Sequence, residues 1–200
     1  MSYRAERGLR IEHGLPEALR RDAARLYWQA FGSKLGAVLG PEARALRFLE
    51  RVIRLDQVIV ARDGDQLLGI AGFKTPEGSF AGGTPSDMRA VYGWVGAFWR
   101  MALIGRLSRD IDNQRFLLDG ICVAPQRRGQ GIGAALLAEI AEEAARRGYR
   151  SVRLDVIDGN WRAKALYERL GFRVVKAQRL GALRFVFGFA VATTMVRDLS

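Results

Sequence analysis

The sequence predicts one domain of the α/β (α+β) class over residues 1–200. A hairpin pattern surrounds Asp63-Gly64-Asp65, and further on a glycine-rich loop separates an apolar strand-like run from an amphipathic helix-like run. A second strand–helix–strand succession follows that loop. The chain has 200 residues, of which 49% are hydrophobic, so it is long enough to bury a full core as one domain.

The first 75 residues are predicted to form a strand, two helices and a hairpin. The strand covers 3–11, and apolar residues at helical spacing from Leu15 to Phe31 predict the first helix. Glycines indicate a connection at 32–40, and Pro41 is expected to start a second helix that runs to about residue 54. Two strands at 58–61 and 67–73 complete the hairpin.

A long apolar helix is predicted at 84–107, with three glycines in its interior. Its apolar residues recur in steps of three and four from Val91 to Leu103. A membrane span is excluded because the apolar stretch is shorter than about 20 residues and contains Arg100. A buried core helix or a homodimer contact is favoured over a ligand-site wall, and the polar segment 110–114 is expected to end the helix.

The C-terminal part is predicted to alternate strands and helices. Gly148 and Gly171 follow the two helices as C-terminal caps, and Glu142–Arg146 and Glu143–Arg147 lie four residues apart on the exposed side of the first. The predicted order is a strand at 116–123, a helix at 132–147, a strand at 152–156, a helix at 160–170, and strands at 172–175 and 189–196.

The composition leaves several partner classes open. The formal net charge is +11, from 32 basic and 21 acidic residues, and only four of the basic residues are lysines. This excess favours either an anionic partner or a general preference for arginine, because the arginines are scattered along the chain. The single cysteine, Cys122, is typical of a reducing compartment, and the charged N-terminus lacks the apolar region of a signal peptide. A cytoplasmic location is therefore expected.

The loop containing Gly129, Gly131 and Gly133 predicts an anion site. A strand that leads into a helix leaves the first helical N–H groups unpaired, and glycines allow a diphosphate to approach them. The alternative is a glycine turn that only packs the helix on the sheet. A dinucleotide pattern is also present in Gly129, Gly131 and Ala134, with Asp155 as the ribose acid. The spacer 124–128 and the single further strand–helix unit disfavour it, and no Lys-Ser or Lys-Thr follows to make a P-loop.

Two motifs resemble those of the GNAT superfamily of acyl-CoA-dependent N-acetyltransferases. The run VAPQRRGQGIG at 123–133 is similar to the family's signature of Gln or Arg, two residues, Gly, one residue, and Gly or Ala; here these are Arg128, Gly131 and Gly133. The run NWRAKALYERLGF at 160–172 looks like its second cofactor motif. The resemblance covers 57–172 well and 84–114 poorly, so the apolar helix looks like an insertion at 84–114.

The resemblance implies a central mixed, mostly antiparallel sheet of about six to seven strands, splayed at the strand before the glycine loop. Acetyl-CoA is the implied co-substrate, with no metal. Backbone N–H groups at 128–134 are expected to hold its pyrophosphate, and the backbone at 121–123 to pair with its pantetheine arm. The implied cofactor residues are Ile121, Cys122, Val123, Arg128, Gly129, Gln130, Gly131, Ile132, Gly133, Ala134, Asn160, Ala163 and Tyr167, with Arg162 and Lys164 as candidates for the adenosine phosphates.

Tyr167 lies on the apolar side of its predicted helix, which by itself indicates a core residue. The resemblance implies instead that its phenol protonates the departing thiolate. Asp119 is the only acid on the strand before the loop, and its even spacing from Val123 predicts that the two share a face. It is a candidate base for the acceptor amine, with anchoring a turn or binding the acceptor's charge as alternatives.

Other reactive residues are discounted. His13 is the only histidine and shows no partner in the sequence, which disfavours a metal site or a catalytic triad. Cys122 sits in an apolar strand and is expected to be a buried hydrophobe rather than a nucleophile.

Three function classes result from the sequence. The first is an N-acetyltransferase that acts on a primary amine by direct transfer, with neither membrane nor nucleic acid favoured as a partner. The second is a non-catalytic acyl-CoA sensor, and the third is a basic nucleic-acid-binding module.

Overall fold

The structure is a computed structural model that describes residues 8–107, 115–181 and 184–199. In chain order its elements are β1 (Leu9–His13), a 3₁₀ turn (Glu17–Leu19), α1 (Arg20–Leu39), α2 (Glu42–Val52), β2 (Val58–Asp63), β3 (Gln66–Thr75), β4 (Gly78–Ser79), α3 (Pro85–Leu107), β5 (Phe116–Val123), a 3₁₀ turn (Pro125–Arg127), α4 (Ile132–Arg146), β6 (Ser151–Ile157), α5 (Trp161–Arg169), β7 (Arg173–Arg179), α6 (Arg184–Phe187) and β8 (Val191–Asp198).

The sheet has eight strands in the order β1-β2-β3-β5-β6-β8-β7, with the short β4 paired to β3. Every pair is antiparallel except β5–β6, which is parallel. That parallel pair contains only Phe116 opposite Val152 and Leu117 opposite Arg153, after which the two strands separate. The mixed, mostly antiparallel sheet and its splay before the glycine loop are therefore confirmed.

The core lies on both faces of the sheet, as the alternation of side chains along β2 shows. Ile59 and Ala61 pack in the cluster that contains α4, whereas Val58 and Val60 pack in the cluster that contains α1. Successive side chains of a strand point to opposite faces, so a strand buried on both sides is a continuous apolar run. The sheet is thus covered by α4 on one face and by α1 and α2 on the other.

The expected connection at 32–40 is wrong, because α1 continues to Leu39. Two interior glycines weaken a helix by roughly 1 kcal/mol each relative to alanine. Val38 and Leu39 nevertheless continue the packed face and are buried against α2 and α3. A Cβ at Gly32 would lie 3.0 Å from the Trp28 ring, so a glycine here makes room for that indole.

The predicted helix at 84–107 is confirmed, but much of its apolar stripe is exposed and is not part of the core. Gly93 adopts φ 70° and ψ 178° and interrupts the helical geometry, so three- and four-residue spacing does not keep one face across it. Trp94, Val95 and Phe98 are 76%, 84% and 75% exposed, whereas Tyr92 is buried. The interpretation of this stripe as core is therefore wrong, and the homodimer contact stays a prediction.

Arg100 and Tyr92 attach α3 to the junction of α1 and α2. The Tyr92 hydroxyl donates to the Leu39 carbonyl at 2.5 Å, and Arg100 Nη2 donates to the Gly40 carbonyl at 3.3 Å. The guanidinium lies 4.1 Å from the Tyr92 ring centroid and 4.2 Å from that of Trp99. Within the described ranges no helix is long and apolar enough to cross a membrane.

Two predicted segments lie wholly or partly outside the described residues, and the other elements of this group are confirmed. The predicted helix end at 110–114 and the first residues of the predicted 3–11 strand lie outside the described residues. The hairpin at 58–73, the second helix, α4 and α5 are confirmed within a few residues. On α4, the predicted pairs are present, with Arg147 Nε 2.5 Å from Glu143 Oε1 and Arg146 Nη1 3.8 Å from Glu142 Oε2.

We predict that Tyr92→Phe lowers the free energy of unfolding by about 1–2 kcal/mol, because it leaves the Leu39 carbonyl without its donor. Urea denaturation of the purified protein measures the change. Val95→Ala on the same helix is the control, since that side chain is 84% exposed and its loss should change stability by less than about 0.5 kcal/mol. Equal stabilities of Tyr92→Phe and the wild type would contradict the anchoring role of this hydroxyl.

Candidate active site

The glycine loop ends in an uncapped helix terminus. Gly129 and Gly131 have φ values of 78° and 79°, a backbone region that side chains disfavour, and Gly131 is the residue that precedes α4. No described side chain caps this helix. Among the residues that the structure describes, no side chain bonds to the first-turn N–H groups from Ile132 to Ala134, so these groups can bind an anion at the positive end of the helix dipole.

The loop is held against the end of β5. Arg128 Nε donates to the Val123 carbonyl at 3.2 Å, while Gly129 and Gln130 are exposed beside it. A Cβ on Gly133 would lie 3.5 Å from Leu166 Cδ2 and 3.8 Å from Val123 Cγ2. The glycine loop, β5 and α5 thus converge on one groove, as the two sequence motifs predict.

One backbone edge of β5 faces the splay. The Ala124 N–H donates to the Leu68 carbonyl in β3 at 2.8 Å. Because backbone groups alternate between the two edges of a strand, those of Ile121 and Val123 point away from β3, where β6 no longer pairs. This edge can pair with an extended, amide-bearing ligand at Ile121 and Val123. The same prediction for Cys122 is wrong, because its backbone groups face Ile70 in β3.

Tyr167 is both a core residue and a candidate acid. Its side chain is 7% exposed and packs in the same cluster as Ile121 and Val123, with its ring centroid 5.9 Å from that of Phe172. Burial raises the pKa of Tyr167 to about 12. In the described part of the chain its hydroxyl has no hydrogen-bond partner, so the neutral phenol retains a proton that it can donate.

Asn160 caps α5, as one of its two predicted roles requires. Its side-chain Oδ1 accepts a hydrogen bond from the Ala163 N–H at 3.3 Å. The same amide keeps its Nδ2 group to donate elsewhere, so capping and ligand binding are compatible. The half-buried Lys164 lies with its Nζ 4.0 Å from Glu168 Oε1, and the Arg162 guanidinium lies 5.1 Å from the Trp161 ring centroid.

Asp119 lies at a β-bulge, which corrects its predicted orientation. Gly72 pairs with Gly120 and Phe73 with Leu118, so Asp119 is an extra residue on β5. A bulge places two successive residues on one side. Val123 accordingly packs on the α4 face, whereas the Asp119 carboxylate accepts hydrogen bonds on the α1 face, and the expectation of a shared face is wrong.

The Asp119 carboxylate is held by the segment that contains Ser79 and Ala81. Its Oδ2 accepts a hydrogen bond from Ser79 Oγ at 2.6 Å and one from the Ala81 N–H at 3.4 Å. Anchoring a turn, one of the predicted alternatives, is therefore confirmed. Burial raises the pKa of Tyr27 well above its ordinary range, and the nearby Asp119 charge adds to that effect.

Sequence reasoning missed a set of α1 residues on this side. The rings of Tyr27 and Phe31 cover Gly120, where a Cβ would lie 3.3 Å from Tyr27 Cε2 and 3.1 Å from Phe31 Cζ. The signal for them was present, because Tyr27, Phe31 and Lys34 recur at helical spacing. The spacing shows a shared face but not which strand that face covers.

The structure corrects the expectation for His13 and confirms the one for Cys122. His13 does have partners on α4, since its Nε2 lies 2.7 Å from Glu139 Oε1 and its Nδ1 lies 3.5 Å from Oε2 of the buried Glu143. Cys122 is buried in the α1 cluster, and burial strongly raises the pKa of its thiol. Its expected role as a buried hydrophobe is confirmed.

A comparison with protein families adds to this geometry. A model described as the acetyltransferase (GNAT) family matches residues 20–172. The chain belongs to the GNAT family. The resemblance of the two motifs is thereby confirmed for more than half of the chain.

Individual relatives share shorter segments with this GNAT protein. A thialysine N-ε-acetyltransferase from Bos taurus is 46% identical over 54 residues, 27% of this chain and 32% of that protein. A streptothricin acetyltransferase from Streptomyces lavendulae is 37% identical over 92 residues, 46% of this chain and 48% of that protein. The chain therefore spans less than half the length of these two curated relatives.

Solved structures agree on the fold. The yncA acetyltransferase of Salmonella typhimurium, solved with its cofactor acetyl-CoA, superposes with a TM-score of 0.61 over 96% of this chain and 95% of that one. The two sequences are 18% identical, so this similarity shows the GNAT fold alone.

We predict that Cys122 of the native GNAT chain resists alkylation at pH 8, because burial raises the pKa of its thiol and keeps it protonated. Iodoacetamide should label it at least roughly 100-fold more slowly than in urea, as followed by intact mass. The urea sample is an internal control, since Cys122 is the only cysteine. Rapid labelling of the native protein would contradict the burial of Cys122 and would favour a mechanism in which its thiolate acts as a nucleophile.

Proposed function

We propose that the protein transfers an acetyl group from acetyl-CoA to a primary amine by direct attack in a ternary complex, within a single N-acetyltransferase domain. The observation that carries the proposal is the meeting of an uncapped helix terminus with the unpaired edge of β5. The first matches a diphosphate, and the second matches the amides of a pantetheine arm. Membership of the GNAT family supports the same co-substrate.

The cofactor residues act chiefly through their backbone. N–H groups at 128–134 bind the pyrophosphate, and those of Ile121 and Val123 pair with the pantetheine amides. Asn160 Nδ2 donates to the ligand while its Oδ1 holds the Ala163 N–H. The exposed Arg162 and the half-buried Lys164 supply cations for the adenosine phosphates. Acetyl-CoA held by these residues would supply an activated thioester.

Three groups of the chain carry the chemistry. The acceptor ammonium first gives up a proton, which Asp119 receives directly or through water. The amine then forms a C–N bond to the thioester carbon, and a main-chain N–H near Val123 stabilises the negative charge on the carbonyl oxygen. As the C–S bond breaks, Tyr167 gives its phenolic proton to the sulfur, and the nitrogen releases its second proton to water to leave a neutral amide. Tyr167 then regains a proton from water.

We predict that Gly133→Ala weakens acetyl-CoA binding at least about 10-fold without unfolding the protein. The added methyl would enter the groove between Val123 and Leu166 at ordinary contact distances, so the fold tolerates it, and helix propensity favours alanine by up to about 1 kcal/mol. Titration calorimetry measures affinity and urea denaturation measures stability.

Gly36→Ala is the matched control for that variant. Gly36 lies inside α1 with open space around its missing Cβ, so alanine should stabilise the helix and leave the dissociation constant unchanged. Absence of acetyl-CoA binding to the wild type would refute the proposed function. If Gly133→Ala binds acetyl-CoA as tightly as the wild type, the cofactor does not bind in the groove at Gly133, but acetyl transfer itself is not refuted.

We predict that Tyr167→Phe lowers kcat about 10- to 10⁴-fold, with acetyl-CoA affinity within about twofold of the wild type. The pKa of Tyr167 is raised from its ordinary value of 10.0 to about 12, so the proton-donating form is present at all lower pH values. No alkaline decline of kcat below about pH 10 should therefore come from this residue. Tyr149→Phe is the control, and an unchanged kcat for Tyr167→Phe would exclude the acid role.

A further inference from the structure

Lys34 extends the face of α1 that covers β5. Tyr27, Phe31 and Lys34 are spaced by four and three residues, which places them on one side of the helix. The rings of Tyr27 and Phe31 lie over Gly120, next to Asp119. Lys34 Nζ in turn lies 5.2 Å from the centroid of the Phe31 ring. A cation therefore lies on the same side of β5 as the candidate base.

No acid of the described chain neutralises this cation. Within residues 8–107, 115–181 and 184–199, the contact of Lys34 with the Phe31 ring is its one polar interaction. Burial lowers the pKa of Lys34, because the ammonium loses water without gaining a carboxylate. By contrast, Arg20 is paired with Glu17 and Arg51 is paired with Asp87.

A half-buried cation without a counter-ion favours an anionic ligand. Removing an ammonium from water costs free energy unless an opposite charge or hydrogen bonds compensate it. Lysine is a compact point charge and is suited to a carboxylate or a phosphate alike. The aromatic ring beneath Lys34 attracts its charge weakly and does not replace an acid.

The spacing of residues along α1 limits the size of the ligand. Lys34 lies seven residues, about 10 Å along the helix, from Tyr27, the ring on which the Asp119 charge acts. A small molecule of amino-acid size spans that distance with an amine at the Asp119 end and an acidic group at the Lys34 end. Asp119 attracts the ammonium, and Lys34 attracts the acid.

We propose that the acceptor is a small amine that also carries a carboxylate or phosphate, and that Lys34 binds this acidic group. The inference depends on the proposed acetyl transfer and names its substrate class. Lys34 is thereby a specificity residue that does not touch the reacting atoms.

Pairs of amines that differ only in the acidic group test this assignment. The pairs are lysine and cadaverine, ornithine and putrescine, and phosphoethanolamine and ethanolamine, each assayed for acetyl-CoA-dependent thiol release. The wild type should prefer the acidic member of at least one pair about 10-fold or more in kcat/KM. Lys34→Met should remove that preference, while it changes kcat/KM for the non-acidic members less than about threefold.

Two further variants separate charge recognition from packing. Lys34→Arg keeps the cation and should retain most of the preference. Lys176→Met on the exposed edge strand β7 removes the same charge far from α1 and should change nothing. Preference for a carboxylate pair or for the phosphate pair identifies which acid is bound.

The outcomes distinguish this inference from the proposed function. An equal loss for acidic and non-acidic amines in Lys34→Met would assign Lys34 to packing or proton transfer and overturn it. Failure of the wild type to acetylate any acid-bearing amine, with normal acetyl-CoA binding by calorimetry, would overturn it as well. Failure of acetyl-CoA to bind, or the absence of thiol release with every amine including the non-acidic members, would count against acetyl transfer itself.

Discussion

The separation of β5 from β6 after Leu117 is the constraint on which the site depends. A strand inside a sheet normally satisfies its backbone groups on both edges, and each buried group left unpaired costs about 1–3 kcal/mol. Here the N–H groups of Ile121 and Val123 face no neighbouring strand, although the Val123 carbonyl accepts a hydrogen bond from Arg128 Nε. The adjacent helix α4 begins with N–H groups that its N-cap residue does not satisfy. Water or a ligand must satisfy these N–H groups, so the fold itself creates a binding groove.

The β-bulge at Asp119 connects that groove with the opposite face of the sheet. In a regular strand without the bulge, the Asp119 side chain would alternate onto the α4 side and point into the apolar core, where burying a carboxylate costs free energy. With it, the carboxylate accepts hydrogen bonds from Ser79 and Ala81 on the α1 side, while Val123 still packs beside α4. One backbone irregularity therefore lets a single strand present a carboxylate on one face and an apolar wall on the other.

The sequence predicts those parts of the structure that local chemistry determines. The hairpin near Gly64, the glycine loop and α4 carry their signals within a few neighbouring residues, and all were predicted. The bulge was not predicted, because it arises from the pairing of β5 with β3, which periodicity does not encode. The continuation of α1 through Gly36 was missed because tertiary packing overrode helix propensity. The exposure of Trp94 was missed because a kink at Gly93 rotates the helix face that follows it.

Burial acts in the same direction on Cys122 and Tyr167, but with opposite chemical consequences. In both cases the loss of water favours the neutral form and raises the pKa. A neutral thiol is a poor nucleophile, so burial disables a covalent route through Cys122. A neutral phenol keeps the proton that a departing thiolate requires, so burial leaves Tyr167 suited to protonate it. Direct attack by the acceptor amine is the route that agrees with both effects, because it needs an acid at the sulfur and no nucleophile from the protein.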